Sequence, residues 1–164
     1  MHAPLTPPPA NPTSPFASWK GDHTGIRVPD FDAAAAWYRE TLDFRVMQTM
    51  PLGEKTLAFL CPALDESFRI EFIAGPGCNP RPKFEQLIDT HSVAGWHHIC
   101  FKVESVDHSI AELRGRGVRI VSEPRDAPGL RLRFAFFSDP WGNLFELSEA
   151  ISPSTAHASG ELAD

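Results

Sequence analysis

Two histidines and two glutamates stand at matched places in this chain. His23 and His98 are 75 residues apart, and so are Glu71 and Glu146. Two imidazoles with two carboxylates suit a borderline or hard divalent ion: Zn²⁺, Ni²⁺, Co²⁺, Fe²⁺ or Mn²⁺. Four such donors leave coordination positions for water or a substrate oxygen, which the ion would polarise. A lone glutamate in a strand is ordinarily part of a solvated sheet face, and a lone histidine at a strand start is ordinarily unremarkable. The weight here lies in the repetition.

The elements that must position them also repeat. TGIRV (24–28) reads as a short strand, and DFDAAAAWYRETL (30–42) as a helix with Asp30 as its cap. FRVMQTM, KTLAFLC and SFRIEFI follow as three apolar runs separated by turn residues. After a Gly- and Pro-rich stretch the order returns: HICFKV (98–103), the helix VDHSIAELRGRG (106–117), then VRIVSE, LRFAFF and NLFELSE. At the same spacing of 75, Val28 meets Val103, Asp32 meets Asp107, Ala36 meets Ala111 and Arg39 meets Arg114. Val46 likewise meets Val121, Leu57 meets Leu132 and Phe59 meets Phe134, so the overlay needs no gap. Matched order, turns and identities together point to an internal duplication. The fold class is therefore α+β, with tandem βαβββ modules.

Strand alternation sorts the faces. His23, Gly25 and Arg27 share one face against Thr24, Ile26 and Val28; His98, Cys100 and Lys102 share one against Ile99, Phe101 and Val103. Arg69 and Glu71 oppose Ile70 and Phe72, and Leu144, Glu146 and Ser148 oppose Phe145 and Leu147. The apolar face must meet the helix, so all four candidate ligands lie on the other one. His97 falls on the wrong face by this rule. Arg27, Lys102 and Arg69 could hold a carboxylate or phosphate, or serve as solvated rim charges. Trp141 and Trp96 could wall a pocket or cover a sheet edge, and Cys100 reads as packing.

The formal net charge of −6 and the lack of a long Lys/Arg run argue against nucleic acid as a partner. No apolar stretch is long enough to cross a bilayer. Three scattered cysteines without CxxC spacing indicate neither a disulfide framework nor a cysteine zinc site. With no signal-peptide pattern, a cytoplasmic location follows. Residues 1–20 carry six of the sixteen prolines and read as a disordered tail. Residues 21–151 form the folded domain, with module one over about 21–75, a linker over 76–96 and module two over about 97–150; residues 152–164 read as a second, flexible tail. The linker contains a short helical stretch around FEQLIDT and is either a lid or a plain connection.

These motifs resemble the vicinal oxygen chelate superfamily, which includes glyoxalase I, methylmalonyl-CoA epimerase, extradiol dioxygenases and bleomycin resistance proteins. The resemblance covers about Asp22 to Glu149 and rests on "HTGIRVPDFDAAAAWYRETLDFRV", "FRIEFIAGPG", "GWHHICFKVESVD", "ELRGRGV" and "FFSDPWGNLFELSE". It implies a glyoxalase-like fold, in which the tandem βαβββ modules form a cupped mixed sheet around one divalent metal. The glyoxalase I pattern of His, Glu, His and Glu is filled by His23, Glu71, His98 and Glu146. The resemblance also implies a lyase or isomerase acting on a small oxygen-chelating substrate through a metal-stabilised enediolate, with Glu146 or Glu71 as the base. Homodimers are common in the family, so the four ligands come from one chain or from two.

Two alternatives remain at this point. An extradiol dioxygenase needs two His, one Glu and a neighbouring acid/base residue; the single tyrosine, Tyr38, lies in a helix stripe, and Glu71 would be surplus. A non-enzymatic binding or resistance protein has no use for a full ligand set. Arg27 matches a position where glyoxalase I has an arginine near glutathione. The asparagine that follows the first metal glutamate in such enzymes is absent, since Phe72, Ile73, Ala74 and Gly75 follow Glu71.

Overall fold

The computed structural model of the chain describes residues 8–79 and 81–151. Within the first half, Asp30 adopts an extended backbone and its carboxylate accepts from the Ala33 N–H at 2.7 Å. That bond satisfies one of the donors a helix start leaves open, and α1 runs Phe31–Leu42. It stops at Asp43, whose φ of 56° is left-handed. Around it lie β1 (His23–Val28), β2 (Arg45–Leu52), β3 (Lys55–Cys61) and β4 (Arg69–Ala74). They form a sheet in the order β1-β4-β3-β2, with β1 parallel to β4 and the other pairs antiparallel.

The second half repeats this plan with β5 (His98–Lys102), α2 (Val106–Gly115), β6 (Arg119–Ala127), β7 (Leu132–Ser138) and β8 (Leu144–Ala150). The order is β5-β8-β7-β6, again with one parallel pair, β5 with β8. Ser105 caps α2 by accepting from the His108 N–H at 3.2 Å. The fold is thus α+β, two mixed four-stranded sheets with one α-helix each. No strand pairing joins the two sheets among the described residues.

The repeat is not gapless at the outer strands. Phe59 pairs with Glu71, whereas Phe136, not Phe134, pairs with Glu146. Val46 pairs with Leu60, and the equivalent partner of Phe137 is Ile120, not Val121. The turn between β7 and β8 (139–143) is two residues shorter than that between β3 and β4 (62–68), which moves β7 by two positions against β8. Register breaks in β6, one of them spanning Pro124, which has no N–H to give to a ladder, take up part of the extra length there. The spacing of 75 holds in β1/β5 and β4/β8, the strands that carry the candidate site.

Both sheets turn their apolar faces toward one core. Val28, Ile70 and Phe72 of the first sheet belong to the same buried cluster as Phe137, Phe145 and Leu147 of the second. Tyr38 of α1 joins them, with ring centroids 5.0 Å from Phe72 and 6.2 Å from Phe145. Its hydroxyl donates to Asp139 Oδ2 at 2.8 Å. Asp139 also accepts from the backbone N–H groups of Trp141 and Asn143 and from the Asn143 amide. One buried carboxylate therefore organises the DPWGN turn and ties it to the first helix. Gly142 takes φ 83° in that turn, a conformation that side chains with a Cβ rarely adopt.

The segment between the halves holds a short 3₁₀ turn, Leu87–Ser92. Near the N-terminus, residues 12–18 form a run of turns, and the ring of Phe16 lies 4.7 Å from that of Trp19 just after it, both exposed. The tail expected at residues 152–164 and the first seven residues lie outside the described part. No helix among the described residues is long and apolar enough to cross a membrane.

Candidate functional site

In the first sheet β1 sets His23 beside β4, and Gly25 lies directly across from Glu71. The His23 Nε2 is 3.7 Å from Glu71 Oε2. A Cβ at Gly25 would stand 3.4 Å from Glu71 Oε2, in van der Waals contact with that carboxylate. The other ring nitrogen, Nδ1, is 2.6 Å from Asp22 Oδ2, and Asp22 Oδ1 accepts from Arg69. These bonds hold the Asp22 carboxyl below its ordinary value, His23 first and Arg69 second. Phe59 meets the His23 ring edge-on at 5.2 Å.

The second sheet repeats the arrangement. His98 Nε2 is 2.9 Å from Glu146 Oε2, and Phe136 stands edge-on to His98 at 5.1 Å. The His98 Nδ1 lies 2.8 Å from His97 Nδ1, and His97 Nε2 lies 2.7 Å from Thr90 Oγ1. Burial, then the neighbouring His98, His91 and Arg81, holds the His97 imidazole below the usual histidine value. Each sheet thus carries an outward histidine–glutamate pair, half-buried, with the histidine packed on a phenylalanine.

The two pairs do not meet within one chain. The apolar faces of both sheets share a core, so the opposite faces, which hold the pairs, point away from each other. Among the described residues no three His, Cys, Asp or Glu side chains converge as a metal-ion site. The strands that carry the histidines, β1 and β5, are edge strands of their sheets.

The remaining candidates fall in several places. The Arg27 guanidinium donates to four carbonyls, those of Val28, Ile73, Gly75 and Pro76, at 2.5 to 2.9 Å, and straps the exit of β4. Arg69 binds Asp22 and lies over the Phe59 ring at 5.3 Å. Lys102 is exposed at the end of β5. Trp141 is partly buried against the shared core, stacked on Tyr38 at 6.4 Å and edge-on to Trp37 at 6.2 Å. Trp96 is 94% exposed. It borders a cavity of about 220 Å³ between the inter-module segment and the second sheet, together with Arg81, Lys83, Arg119 and His97. The Cys100 thiol donates to Ser148 Oγ at 3.3 Å, and burial raises its pKa.

Two residues at the site escape a reading by alternation: Asp22 and His97. They are one position before each histidine and therefore 75 residues apart, which is the signal that could have found them.

Comparison with known proteins fits this geometry. The family model described as Glyoxalase/Bleomycin resistance protein/Dioxygenase superfamily matches residues 20–147. The chain belongs to this superfamily. Within the glyoxalase/bleomycin resistance/dioxygenase superfamily it is 31% identical to the ethylmalonyl-CoA/methylmalonyl-CoA epimerase of Cereibacter sphaeroides, over 78% of this chain and 96% of that protein. It is 29% identical to a probable lactoylglutathione lyase of Synechocystis, over 79% of this chain and 95% of that one. Among solved structures, a glyoxalase family protein from Enterococcus faecalis superposes with a TM-score of 0.65 at 25% identity, covering 79% of this chain and 97% of that chain.

Proposed function

We propose that this chain is a divalent-metal-dependent lyase or isomerase of the glyoxalase I kind, which moves a proton at a carbon next to a carbonyl in a small oxygen-chelating substrate. The observation that carries this reading is the duplicated histidine–glutamate pair, with each Nε2 facing a carboxylate. The donor types fit Zn²⁺, Ni²⁺, Co²⁺, Fe²⁺ or Mn²⁺, held by His23, Glu71, His98 and Glu146. When bound, such an ion supplies Lewis-acid stabilisation of charge on a substrate oxygen.

The chain's own residues supply the rest. A Glu146 carboxylate takes the proton from the carbon beside the carbonyl, and electron density moves onto the carbonyl oxygen. The proton then returns, to the opposite face of the same carbon in an epimerisation or to the neighbouring carbon in an isomerisation. Glu71 is the second carboxylate, placed to serve the other face. Phe59 and Phe136 keep water from part of each pair and hold the imidazoles in place. The similarity both to an acyl-CoA epimerase and to a lactoylglutathione lyase supports a proton-transfer class and leaves the carbonyl carrier to assay.

Because each chain presents its pairs on opposite sides, the complete site belongs to a homodimer. A twofold arrangement that sets β1 of one copy beside β5 of the other joins each His23/Glu71 pair to a His98/Glu146 pair and produces two equal sites. Unpaired strand edges are ready-made pairing surfaces.

Elemental analysis of protein purified without chelating resin, followed by proton NMR in deuterated water, tests the reading. One transition ion per site and α-deuterium incorporation into a branched malonyl thioester or a hemithioacetal are expected. The Glu146→Gln variant should exchange at least ~10²-fold more slowly, the usual contribution of a positioned general base. Absence of uptake after reconstitution with any of the five ions overturns the proposal.

A further inference from the structure

We propose that the residue immediately before each candidate ligand histidine, Asp22 in one half and His97 in the other, is a positioning residue that fixes the imidazole as its Nδ1–H form and presents Nε2 as the donor atom. This rests on the reading of His23 and His98 as ligands, but the orientation follows from hydrogen bonds within the chain.

In the second half the bonds behind His98 fix one another's direction. The Leu87 carbonyl can only accept, so the Thr90 hydroxyl at 2.5 Å donates to it. Thr90 Oγ1 then accepts from His97 Nε2–H at 2.7 Å. A neutral imidazole with its proton on Nε2 has a lone pair on Nδ1, and that atom lies 2.8 Å from His98 Nδ1. His98 therefore donates from Nδ1. Its Nε2 lies 2.9 Å from the acceptor-only Glu146 carboxylate, a contact that without an ion needs a proton on Nε2 as well, and an ion bound there would take that proton's place.

In the first half the chain of bonds is shorter. A carboxylate is acceptor-only, so His23 donates from Nδ1 to Asp22 at 2.6 Å and turns Nε2 toward Glu71. Arg69 holds the other oxygen of Asp22. The duplication has thus kept a geometry while changing the chemistry. Asp22 is an anionic support for His23, while His97 is a neutral one for His98. Arg69 and Thr90 serve as the outer anchors of the two chains of bonds.

The test uses full-length protein with ¹⁵N-labelled histidine. In the metal-free protein, long-range ¹H–¹⁵N correlation should show His97 protonated on Nε2 only and His98 protonated on Nδ1, with any second His98 proton on the Nε2 that faces Glu146. On loading with Zn²⁺, His23 and His98 should keep Nδ1–H and shift at Nε2. Zn²⁺ affinity, read by competition with a chromophoric chelator, should fall roughly 10- to 100-fold in Asp22→Ala and in His97→Leu, the usual effect of losing such a support. His97→Gln can still accept from His98 and donate to Thr90, so it should recover most of the affinity; a purely structural role would give no such rescue. A His97 proton on Nδ1, or equal affinity in His97→Leu and wild type, overturns the proposal. The derived tautomers without Zn²⁺ uptake would support the orientation and overturn the metal-dependent function instead.

Discussion

The Tyr38 hydroxyl donates to Asp139 across the boundary between the two halves, from the middle of α1 to the turn before β8, at 2.8 Å. Both groups are buried. Burial raises the Asp139 carboxyl, and burial together with the adjacent Asp139 pushes the Tyr38 phenol well above its ordinary value. The carboxylate is tolerated inside because four donors converge on it. The DPWGN turn is therefore a structural knot, and its place in the superfamily signature follows from folding as well as from the neighbouring Glu146.

Tyr38→Phe keeps the ring packing and removes one of those four donors. It should cost ~1.5–3 kcal/mol, the usual net value of a hydrogen bond to a charged acceptor. Asp139→Ala strands the buried Tyr38 hydroxyl and the Asn143 donors together, and should cost ~3 kcal/mol or more. Urea titrations followed by circular dichroism would measure both. Because the two residues share one bond, the double variant should lose less than the two single losses combined. Full additivity would show that the bond does not couple the halves.

Arg133 holds Asp107 through two bonds, Nε to Oδ2 at 2.6 Å and Nη2 to Oδ1 at 2.8 Å. Arg133 keeps the Asp107 carboxyl below its ordinary value of 3.8. A lowered folded-state pKa means that the unfolded chain binds the proton first as acid is added. The stabilisation is then complete above the ordinary value and is lost as the pH falls through the folded one. The melting temperature of wild type should exceed that of Asp107→Asn by a constant margin above pH about 5, and the margin should shrink below pH about 3.8. A margin that does not change down to pH 2 would mean that the pair contributes nothing to acid stability.

Much of the fold was legible because the hydrophobic period and the duplication agree. Ile26, Ile70, Ile99 and Phe145 all belong to the shared core or pack against it, so alternation assigns the opposite face correctly in β1, β4, β5 and β8. Asp30 likewise announces α1 by its type and position. The outer strands were not legible at the same spacing, because the β7–β8 turn is shorter than the β3–β4 turn while β6 carries bulges, and these changes offset each other in length and leave no gap in the overlay. Phe59 therefore corresponds to Phe136, although the sequence aligns it with Phe134. His97 was hidden for a related reason. It precedes the first residue of β5, where strand alternation no longer governs the side chain, and its ring turns back onto His98. Nor does periodicity say which faces of two similar modules meet. Both modules have one apolar face, and only the packing of Tyr38, Phe72 and Phe145 around one core reveals that the histidine faces look outward.

That outward orientation leads to a prediction about mixed dimers. If each site takes one pair from each copy, a copy carrying His23→Ala has a damaged first sheet and an intact second one. A copy carrying Glu146→Ala has the reverse. Each variant alone builds two defective sites. In a mixed dimer one site collects both lesions, and the other combines the intact first sheet of one copy with the intact second sheet of the other. Unfolding and refolding an equimolar mixture should therefore restore roughly a quarter of the wild-type metal content and proton exchange, since half of randomly formed twofold dimers are mixed and each has one whole site. Metal analysis and deuterium incorporation on the same refolded sample would measure the recovery. If all four ligands came from a single chain, the mixture would stay as inactive as its components, and the outward pairs of this fold would have to meet by a rearrangement of the two halves.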